Sequence, residues 1–417
     1  MTKIVVNGGK HLKGSIKVSA AKNSVLPIIA SSLLCREESI LEEIPLLDDV
    51  YCICDVLNSL GAETSISNGR LKIKPEKLVS SEPPYELVRK MRASFLVMGP
   101  LLARTGSVKI SLPGGCNIGT RPIDLHLKGL SALGAKINLG HGYVEASVSK
   151  LKGAKVYLDF PSVGATENIL MSAVLAEGET VIENAAEEPE IVDLANFLNS
   201  MGANIIGAGT DTIKIIGVKD LKGTKHCVIP DRIEAGTYMI AAAITGGDIT
   251  IENVIIEHVK SIIAKLSEAG IKIEEGQNKV RVVSDRKVQS VDVKTLPYPG
   301  FPTDLQAPVM SLMSIAKGTS MITETVFENR FMHVSELKRM GANIKIDGRS
   351  AVIEGTKKLT GAKVKATDLR AGAALILAGM AAEGTTEISD VYHIDRGYVN
   401  IEKKLKKIGA DIQRIEE

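Results

Sequence analysis

Apolar and polar positions follow two different periods along this chain. Stretches such as "VKISL" (108–112) place apolar side chains at every second position, which predicts strands with one buried face. Stretches such as "VDLANFLNSMG" (192–202) place them three and four apart, which predicts amphipathic helices ending at a glycine. A third type, "AGAALILAGMAA" (371–382), is small and apolar on every side and predicts a buried helix. The chain therefore reads as an α/β protein.

The same succession of elements recurs six times. Each repeat predicts a strand, a small-residue helix, a second strand, an amphipathic helix and a third strand. The last repeat lacks half of its hairpin, and "KIVVNGG" (3–9) could supply the missing strand. The repeats are marked by glycines spaced 73, 68, 68, 71 and 68 residues apart, namely Gly61, Gly134, Gly202, Gly270, Gly341 and Gly409.

Repeats of this length are too large for a solenoid, which favours two globular domains of three repeats each. The first domain is expected at 21–229 and the second at 1–20 plus 230–417. A cleft between two domains is a preferred place for a ligand. Helices whose N-termini face such a cleft would attract anions.

Composition narrows the possible partners. Basic and acidic residues number 51 and 49, so neither a nucleic-acid footprint nor a polybasic membrane anchor is indicated. No apolar stretch is long enough to span a bilayer, and the first residues do not resemble a signal peptide. The five cysteines show no metal-ligand spacing, so we expect a cytoplasmic protein without a metal. The sequence leaves the oligomeric state open.

Cationic residues occupy equivalent repeat positions at predicted helix starts. Arg121 and Arg396 both lie 13 residues before a repeat glycine, and Arg330 lies two residues beyond that place in the fifth repeat. The helix dipole disfavours cations there, so a bound anion would explain the set, whereas any single residue could be a solvated surface charge. The charged residues near the starts of the small-residue helices are Lys22, Arg92, Arg232, Asp304 and Arg370.

The second repeat has the longest connection, and its extra residues include "PGGCNIG" (113–119). Glycines would let this loop move as a lid over 112–121. A nearby cation and a helix N-terminus would lower the pKa of the Cys116 thiol, which could then act as nucleophile or proton donor. Cys35 and Cys227 are expected to be small buried side chains. His126 could line the site or be a structural histidine.

Several motifs together resemble one family over essentially the whole chain. They include "AAKNSVLP" (20–27), "PGGCNIGTRPIDLHL" (113–127), "PTDLQAP" (302–308), "ENRFMH" (328–333) and "IDRGY" (394–398). These resemble the UDP-N-acetylglucosamine 1-carboxyvinyltransferases, which are enolpyruvyl transferases. The resemblance implies two inside-out α/β barrel-like domains, each with three repeats around a pseudo-threefold axis.

The resemblance also implies a reaction that needs no cofactor and no metal. Phosphoenolpyruvate would donate its enolpyruvyl group to the 3-hydroxyl of UDP-N-acetylglucosamine, releasing phosphate in the first committed step of peptidoglycan synthesis. Cys116 would protonate the methylene carbon of phosphoenolpyruvate. Asp304 would take the proton of the sugar hydroxyl, although by itself Asp304 reads as a helix N-cap.

By the same resemblance, further residues would bind the substrates. The phosphate would be held by Lys22, Arg121 and Arg396, with Arg330 and Arg370 around the phosphate and the carboxylate, and Asn23 and Arg232 are placed in the same substrate-binding set. The UDP-sugar would be contacted by Arg92, Arg121, Pro122, Ile123, Asp124, Leu125, Ser162, Val163, Gly164 and Val326. One departure is Phe160, followed by Pro161, where some family members have a lysine. A charged contact to the diphosphate from position 160 is therefore not expected.

Three alternatives remain open. The first is the related transferase that acts on shikimate 3-phosphate, which would not need the cysteine loop. The second is a paralogue that binds the UDP-sugar without turnover, against which Lys22, Cys116, Asp304 and Arg396 argue. The third is a structural repeat protein, which would not gather cations at helix starts.

Overall fold

Two units divide the chain in the computed structural model, which describes residues 2–112 and 123–416. Unit I comprises residues 20–112 and 123–229, and unit II comprises residues 2–19 and 230–416. The chain therefore passes from one unit to the other at residues 19–20 and again at residues 229–230.

Short strands make up the sheets of both units. In chain order they are β1 (Thr2–Asn7), β2 (Lys13–Lys17), β3 (Ser39–Glu42), β4 (Glu63–Ser67), β5 (Arg70–Lys74), β6 (Ser107–Ser111), β7 (Lys136–Leu139), β8 (Tyr143–Ser147), β9 (Lys155–Tyr157), β10 (Glu179–Glu183), β11 (Asn204–Ile206), β12 (Thr212–Ile216), β13 (Lys225–Cys227), β14 (Asp248–Glu252), β15 (Lys272–Gly276), β16 (Lys279–Val283), β17 (Val293–Lys294), β18 (Thr319–Thr323), β19 (Asn343–Asp347), β20 (Ser350–Glu354), β21 (Lys363–Lys365), β22 (Thr385–Ser389) and β23 (Asp411–Glu416).

Helices of two kinds alternate between the strands. The α-helices are α1 (Lys22–Ser31), α2 (Asp48–Ser59), α3 (Tyr85–Lys90), α4 (Met98–Thr105), α5 (Asp124–Ala132), α6 (Val163–Ala173), α7 (Pro189–Ser200), α8 (Arg232–Thr245), α9 (Ile256–Glu268), α10 (Gln306–Met313), α11 (Val334–Arg339), α12 (Leu369–Ala381), α13 (Tyr392–Asp395) and α14 (Ile401–Lys407). Short 3₁₀ helices cover Ser32–Leu34, Arg92–Val97 and Thr303–Leu305.

Five of the sheets formed by the described residues contain one parallel pair, as the sheet with β9 and β10 shows. These two strands pair in parallel, with Val156 opposite Ile182, and α6 forms the crossover that a parallel pair requires. The helix α7 follows, and the hairpin β11–β12 then completes the sheet antiparallel to β10. The described residues form six sheets, with strand orders β13-β3-β5-β4, β6-β8-β7 and β11-β12-β10-β9 in unit I and β15-β16-β14-β2, β17-β18-β20-β19 and β21-β22-β1-β23 in unit II.

Strands distant in sequence complete some of these sheets. The strand β1 lies between β22 and β23 and is antiparallel to both, with Val6 opposite Thr386 and Ile412. This pairing confirms the strand expected at residues 3–9. The strands β2 and β13 are added in the same way, parallel to β14 and β3 respectively.

The repeat glycines end the amphipathic helices as the sequence predicts. Each of the six lies two residues beyond the last residue of its helix, for example Gly61 after Ser59. All six have φ between +85° and +106°, a range that side chains with a Cβ rarely adopt. The spacing of these glycines therefore reports a recurring helix stop.

Most residues of the small-residue helices are buried, which agrees with their composition. In unit II, α8, α10 and α12 pack against one another, and the Ser311 hydroxyl of α10 donates to the Ala374 carbonyl of α12 at 2.8 Å. In unit I, α4 packs against α6, and α1 packs against α7. Among the helices within residues 2–112 and 123–416, none combines the length and the apolar character needed to cross a membrane.

Replacement of Ile4 tests the contribution of β1 to unit II. Ile4 is fully buried, whereas Ile206 on β11 is 60% exposed and serves as a matched control. We expect Ile4→Ala to lower the free energy of unfolding by about 2–5 kcal/mol through lost burial and a residual cavity. Ile206→Ala should change it by less than about 0.5 kcal/mol in the same urea titration. Equal losses in the two variants would contradict the role of β1.

Candidate active site

One carboxylate in unit II holds two guanidinium groups. Asp304 Oδ1 accepts a hydrogen bond from Arg330 Nη2 at 2.7 Å. Its other oxygen, Oδ2, accepts from Arg370 Nη2 at 2.9 Å and from Nε at 3.1 Å, which is a forked contact. Both arginines are buried. The structure therefore brings together the predicted base, Asp304, and two arginines predicted for phosphoenolpyruvate.

Three separate elements position this cluster. Asp304 lies in the 3₁₀ turn before α10, Arg330 lies in the turn before α11, and Arg370 is the second residue of α12. Asp368 caps α12 by accepting hydrogen bonds from two amides of its first turn. Asp304 makes no such cap, since its carboxylate pairs with the arginines. The N-cap reading of Asp304 is therefore wrong.

The pKa of Asp304 lies well below its usual value. Burial alone would raise this pKa, but the charges of Arg370 and Arg330 and their hydrogen bonds outweigh burial. Burial would likewise lower the pKa of Arg370, but Tyr398, Asp304 and Asp231 outweigh it and the pKa is raised. Asp304 and Arg370 are therefore both charged at neutral pH.

Each arginine also has one guanidinium nitrogen that is available to a ligand. Arg330 Nε and Arg370 Nη1 are buried and have no hydrogen-bond partner among the described residues. Guanidinium nitrogens can only donate, so an oxygen of an anion that reached them could accept. Such a site suits a ligand that carries phosphate or carboxylate groups.

The other predicted residues of unit II lie on neighbouring elements. Arg232 is the first residue of α8, and its guanidinium lies 5.6 Å from the ring centroid of Tyr298. Val326 follows β18 and donates its amide to Glu324 at 2.8 Å. Arg396 directly follows α13 and precedes α14 by five residues. It therefore lies near the amphipathic helix of its repeat, as predicted.

In unit I, the predicted phosphate ligand Lys22 is paired inside the protein. It is the first residue of α1, is 8% exposed, and its ammonium lies 2.6 Å from a carboxylate oxygen of Asp49 on α2. A bound anion was one explanation for a cation at this helix start. In the structure, a carboxylate of the protein also offsets the unfavourable helix dipole here. The exposed Asn23 follows on the same helix.

Three predicted UDP-sugar segments of unit I meet around His126. Its ring packs edge-on against Phe95, close to Arg92, at a centroid distance of 5.3 Å. A Cβ on Gly164 would lie 3.1 Å from the same ring, so the starts of α5 and α6 approach closely here. The N-terminal residues of α5 include the predicted Asp124 and Leu125, with Ile123 at its N-cap.

His126 itself is neutral and hydrogen-bonded within unit I. Asn168 Oδ1 accepts from the Gly99 amide, so Asn168 Nδ2 is the donor to His126 Nδ1 at 2.9 Å. The imidazole proton must then be on Nε2. Burial, together with the charge of Arg92, lowers the pKa of His126 to about 3.

The start of α6 carries the remaining predicted contacts. The Ser162 hydroxyl caps the helix by accepting from the Ala165 amide at 3.4 Å, and Val163 and Gly164 form its first turn. Phe160 nearby is 43% exposed. Beside it, Asp159 pairs with Lys128 at 2.7 Å.

Some sequence expectations fall outside this picture. Cys116, Arg121 and Pro122, and the lid expected over 112–121, lie outside the described residues except for residue 112. Cys35 is buried as expected. Cys227 was expected to be buried, and this prediction is wrong because Cys227 is exposed. Successive side chains of a strand point to opposite faces, and on β13 it is His226 that turns inward, where its Nε2 lies 2.8 Å from Asp193 Oδ1.

Sequence reasoning missed the residues that hold the predicted ones in place. Asp49 contacts Lys22 directly, and Thr303 contacts Arg330 directly. Glu324 is linked to Arg330 through the Thr303 hydroxyl. Asp49 could have been found, since an acidic pair opens the amphipathic helix of the first repeat. Glu324 and Thr303 carry no comparable signal, because their pairing joins distant parts of the repeat.

Comparison with known proteins shows the family to which the chain belongs. Residues 6–405 match the family described as EPSP synthase (3-phosphoshikimate 1-carboxyvinyltransferase). The chain is 67% identical over 413 residues to UDP-N-acetylglucosamine 1-carboxyvinyltransferase 1 of Caldanaerobacter subterraneus subsp. tengcongensis, covering 99% of each chain. It is 64% identical to UDP-N-acetylglucosamine 1-carboxyvinyltransferase 2 of Clostridium tetani, covering 100% of each.

Solved structures share the fold at low identity. The enolpyruvyl transferase NikO from Streptomyces tendae matches with a TM-score of 0.90 at 23% identity, covering 99% of this chain and 98% of that one. EPSP synthase from Acinetobacter baumannii matches with a TM-score of 0.77 at 19% identity, covering 100% of both. These likenesses confirm the predicted two-domain α/β fold. Family match and relatives together show that this chain belongs to the enolpyruvyl transferase family, alongside relatives named UDP-N-acetylglucosamine 1-carboxyvinyltransferase.

Proposed function

We propose that this chain transfers the enolpyruvyl group of phosphoenolpyruvate to the 3-hydroxyl of UDP-N-acetylglucosamine. Phosphate leaves, and the product is the first committed intermediate of peptidoglycan synthesis. The observation that carries the proposal is full-length identity of 61–67% to relatives that bear this name. The cluster of Asp304 with Arg330 and Arg370 supports it, because it joins a candidate base to donors for an anionic ligand.

The residue types fit the steps of this reaction. Phosphoenolpyruvate carries a phosphate and a carboxylate, which suit Lys22, Arg121, Arg396 and the two clustered arginines. The sugar oxygen bonds to the central carbon of phosphoenolpyruvate, and its proton passes to Asp304. The methylene carbon takes a proton from Cys116. Loss of phosphate and of a proton from the former methylene carbon then restores the double bond.

Asp304 must change partners before it can act as a base. A carboxylate held by two guanidinium groups is a weak proton acceptor, because their charges keep its pKa low. An anionic substrate that draws Arg330 and Arg370 towards its own oxygens would weaken both ion pairs. The pKa of Asp304 would then rise, so substrate binding would itself activate the base.

Shikimate 3-phosphate is the acceptor in the rival reading, and the family description names that reaction. Two observations favour the UDP-sugar. Relatives above 60% identity are named for it, whereas the solved EPSP synthase is 19% identical. In addition, the segments expected to contact the UDP-sugar converge around His126.

The choice of acceptor separates these readings directly. We expect phosphate release from phosphoenolpyruvate with UDP-N-acetylglucosamine and none above background with shikimate 3-phosphate. A colorimetric phosphate assay on the purified chain provides the measurement. Release with shikimate 3-phosphate alone would reverse the assignment, and no release with either acceptor would favour a silent binding paralogue.

Cys116 is expected to be the thiol on which activity depends. Cys116→Ser should lower turnover by about 10²–10⁴-fold, since a hydroxyl is a poorer proton donor than a thiol. Fosfomycin, a thiol-directed epoxide, should inactivate the wild type by alkylating Cys116. The exposed Cys227 provides the control, and Cys227→Ser should retain activity and fosfomycin sensitivity. Full activity after complete alkylation of Cys116 would refute its role.

Asp304→Asn tests the assigned base. We expect kcat to fall by about 10²–10⁴-fold, because an amide cannot accept the sugar proton. Asp347→Asn, in an exposed hairpin of the same unit, should leave kcat within twofold of the wild type. The pKa of Asp304 lies below its usual value of about 3.9, so protonation of the free enzyme at Asp304 should not reduce kcat/KM between pH 8 and pH 5. An Asp304→Asn variant with wild-type kcat would exclude this base.

A further inference from the structure

Unit II also contains a buried carboxylate that is not among the substrate-binding residues assigned above. Glu324 directly follows β18 and is fully buried. Its Oε1 accepts from the Thr295 hydroxyl at 2.9 Å and from the amides of Val326 at 2.8 Å and Phe327 at 3.1 Å. Its Oε2 accepts from the Thr303 hydroxyl at 2.8 Å. A buried carboxylate is costly to desolvate, and here four neutral donors offset that cost.

Glu324 is linked to Arg330 by two hydrogen bonds through the Thr303 hydroxyl, and the direction of each bond is fixed. A carboxylate can only accept and a guanidinium can only donate. The single proton of the Thr303 hydroxyl must therefore point to Glu324. Its lone pair is then left to accept from Arg330 Nη1 at 2.7 Å. Glu324 thus orients Thr303, and Thr303 orients Arg330.

The same arginine contacts the candidate base. Arg330 Nη1 bonds to Thr303 and Nη2 bonds to Asp304, so the guanidinium bridges two consecutive residues of one 3₁₀ turn. Its central carbon also lies 5.3 Å from the ring centroid of Phe327, whose amide Glu324 holds. Glu324 therefore constrains Arg330 both through Thr303 and through the turn that carries Phe327.

A second branch leads from Glu324 to a predicted sugar contact. Its Oε1 fixes the amides of Val326 and Phe327, and Val326 is one of the residues expected to touch the UDP-sugar. Thr295 reinforces the turn, since its hydroxyl accepts from the Thr325 amide at 2.9 Å. One carboxylate thus holds the sugar-binding turn and the neighbour of the base.

We infer that Glu324 is a positioning residue for this reaction, acting on Arg330 and Asp304 through the Thr303 hydroxyl and on the UDP-sugar through the turn at 326–327. The inference rests on the proposed function and adds two residues to it. The Thr303 branch acts on turnover and the 326–327 branch acts on sugar affinity. A residue with a merely structural role would not separate these two quantities.

Removal of single hydrogen-bonding groups tests the two branches. In Thr303→Val the hydroxyl is lost at nearly constant volume, and we expect kcat to fall by about 10–100-fold with the Kd for UDP-N-acetylglucosamine unchanged. Thr303→Ser keeps the hydroxyl and should retain kcat within about threefold. In Glu324→Gln an amide NH₂ must face one of the donors, so kcat should fall and the Kd should rise together.

A matched control removes a hydroxyl beside Glu324 that takes no part in either branch. Thr323 bonds to the Ser350 hydroxyl at 2.9 Å, and Thr323→Val should leave both kcat and Kd unchanged. Phosphate release gives kcat and titration calorimetry gives Kd. In the double variant of Thr303 and Glu324, the loss of kcat should be smaller than the product of the two single losses, because both act through one hydroxyl.

Three results would overturn the inference. These are a Thr303→Val variant as active as Thr323→Val, a Thr303→Ser variant as impaired as Thr303→Val, or multiplicative losses of kcat in the double variant. If Glu324→Gln does not fold, the three threonine variants still decide. Wild-type protein that releases no phosphate with UDP-N-acetylglucosamine would instead refute the proposed function, so the two failures are distinguishable.

Discussion

The arrangement of unit II around its candidate site depends on the ion pairs that Asp304 makes with Arg330 and Arg370. Two buried guanidinium groups would be strongly unfavourable without a counter-charge. Asp304 supplies one negative charge to both. Glu324 is linked to Arg330 by hydrogen bonds through the Thr303 hydroxyl, and Asp231 adds attraction for Arg370. Removing the carboxylate of Asp304 or of Glu324 would therefore disturb the positions of the two arginines.

The same physical solution recurs in unit I. Lys22 begins α1, where the helix dipole opposes a cation, and Asp49 from the neighbouring helix α2 offsets it.

Backbone contacts also recur at equivalent positions of the repeats. A Cβ on Gly217 in unit I would lie 1.6 Å from the Ala176 carbonyl oxygen, and one on Gly355 in unit II would lie 1.6 Å from that of Ala316. The repeats thus share backbone packing, and differences in function arise from the side chains added to it.

Most of the fold could be predicted from the local pattern of apolar residues and glycines, whereas the pairing of side chains could not. The glycine that ends each amphipathic helix and the alternation in each strand depend on neighbours in sequence, so Gly61 and its five equivalents were correctly interpreted. The roles of Asp304, Cys227 and Glu324 depend on residues brought together by folding. Asp304 looked like an N-cap because a polar residue at a helix start usually is one, and only the positions of Arg330 and Arg370 exclude it.

Charge in the candidate sugar-binding part of unit I comes from few sources. His126 is neutral because burial lowers the pKa of its imidazole to about 3, and Lys128 is paired with Asp159. Phe160 adds no charge at its position. Under the proposed function, attraction for a diphosphate from the described residues here would come from Arg92 and from the amides at the starts of α5 and α6. Backbone amides are fixed in direction, so they can select for the shape of a ligand as well as for its charge.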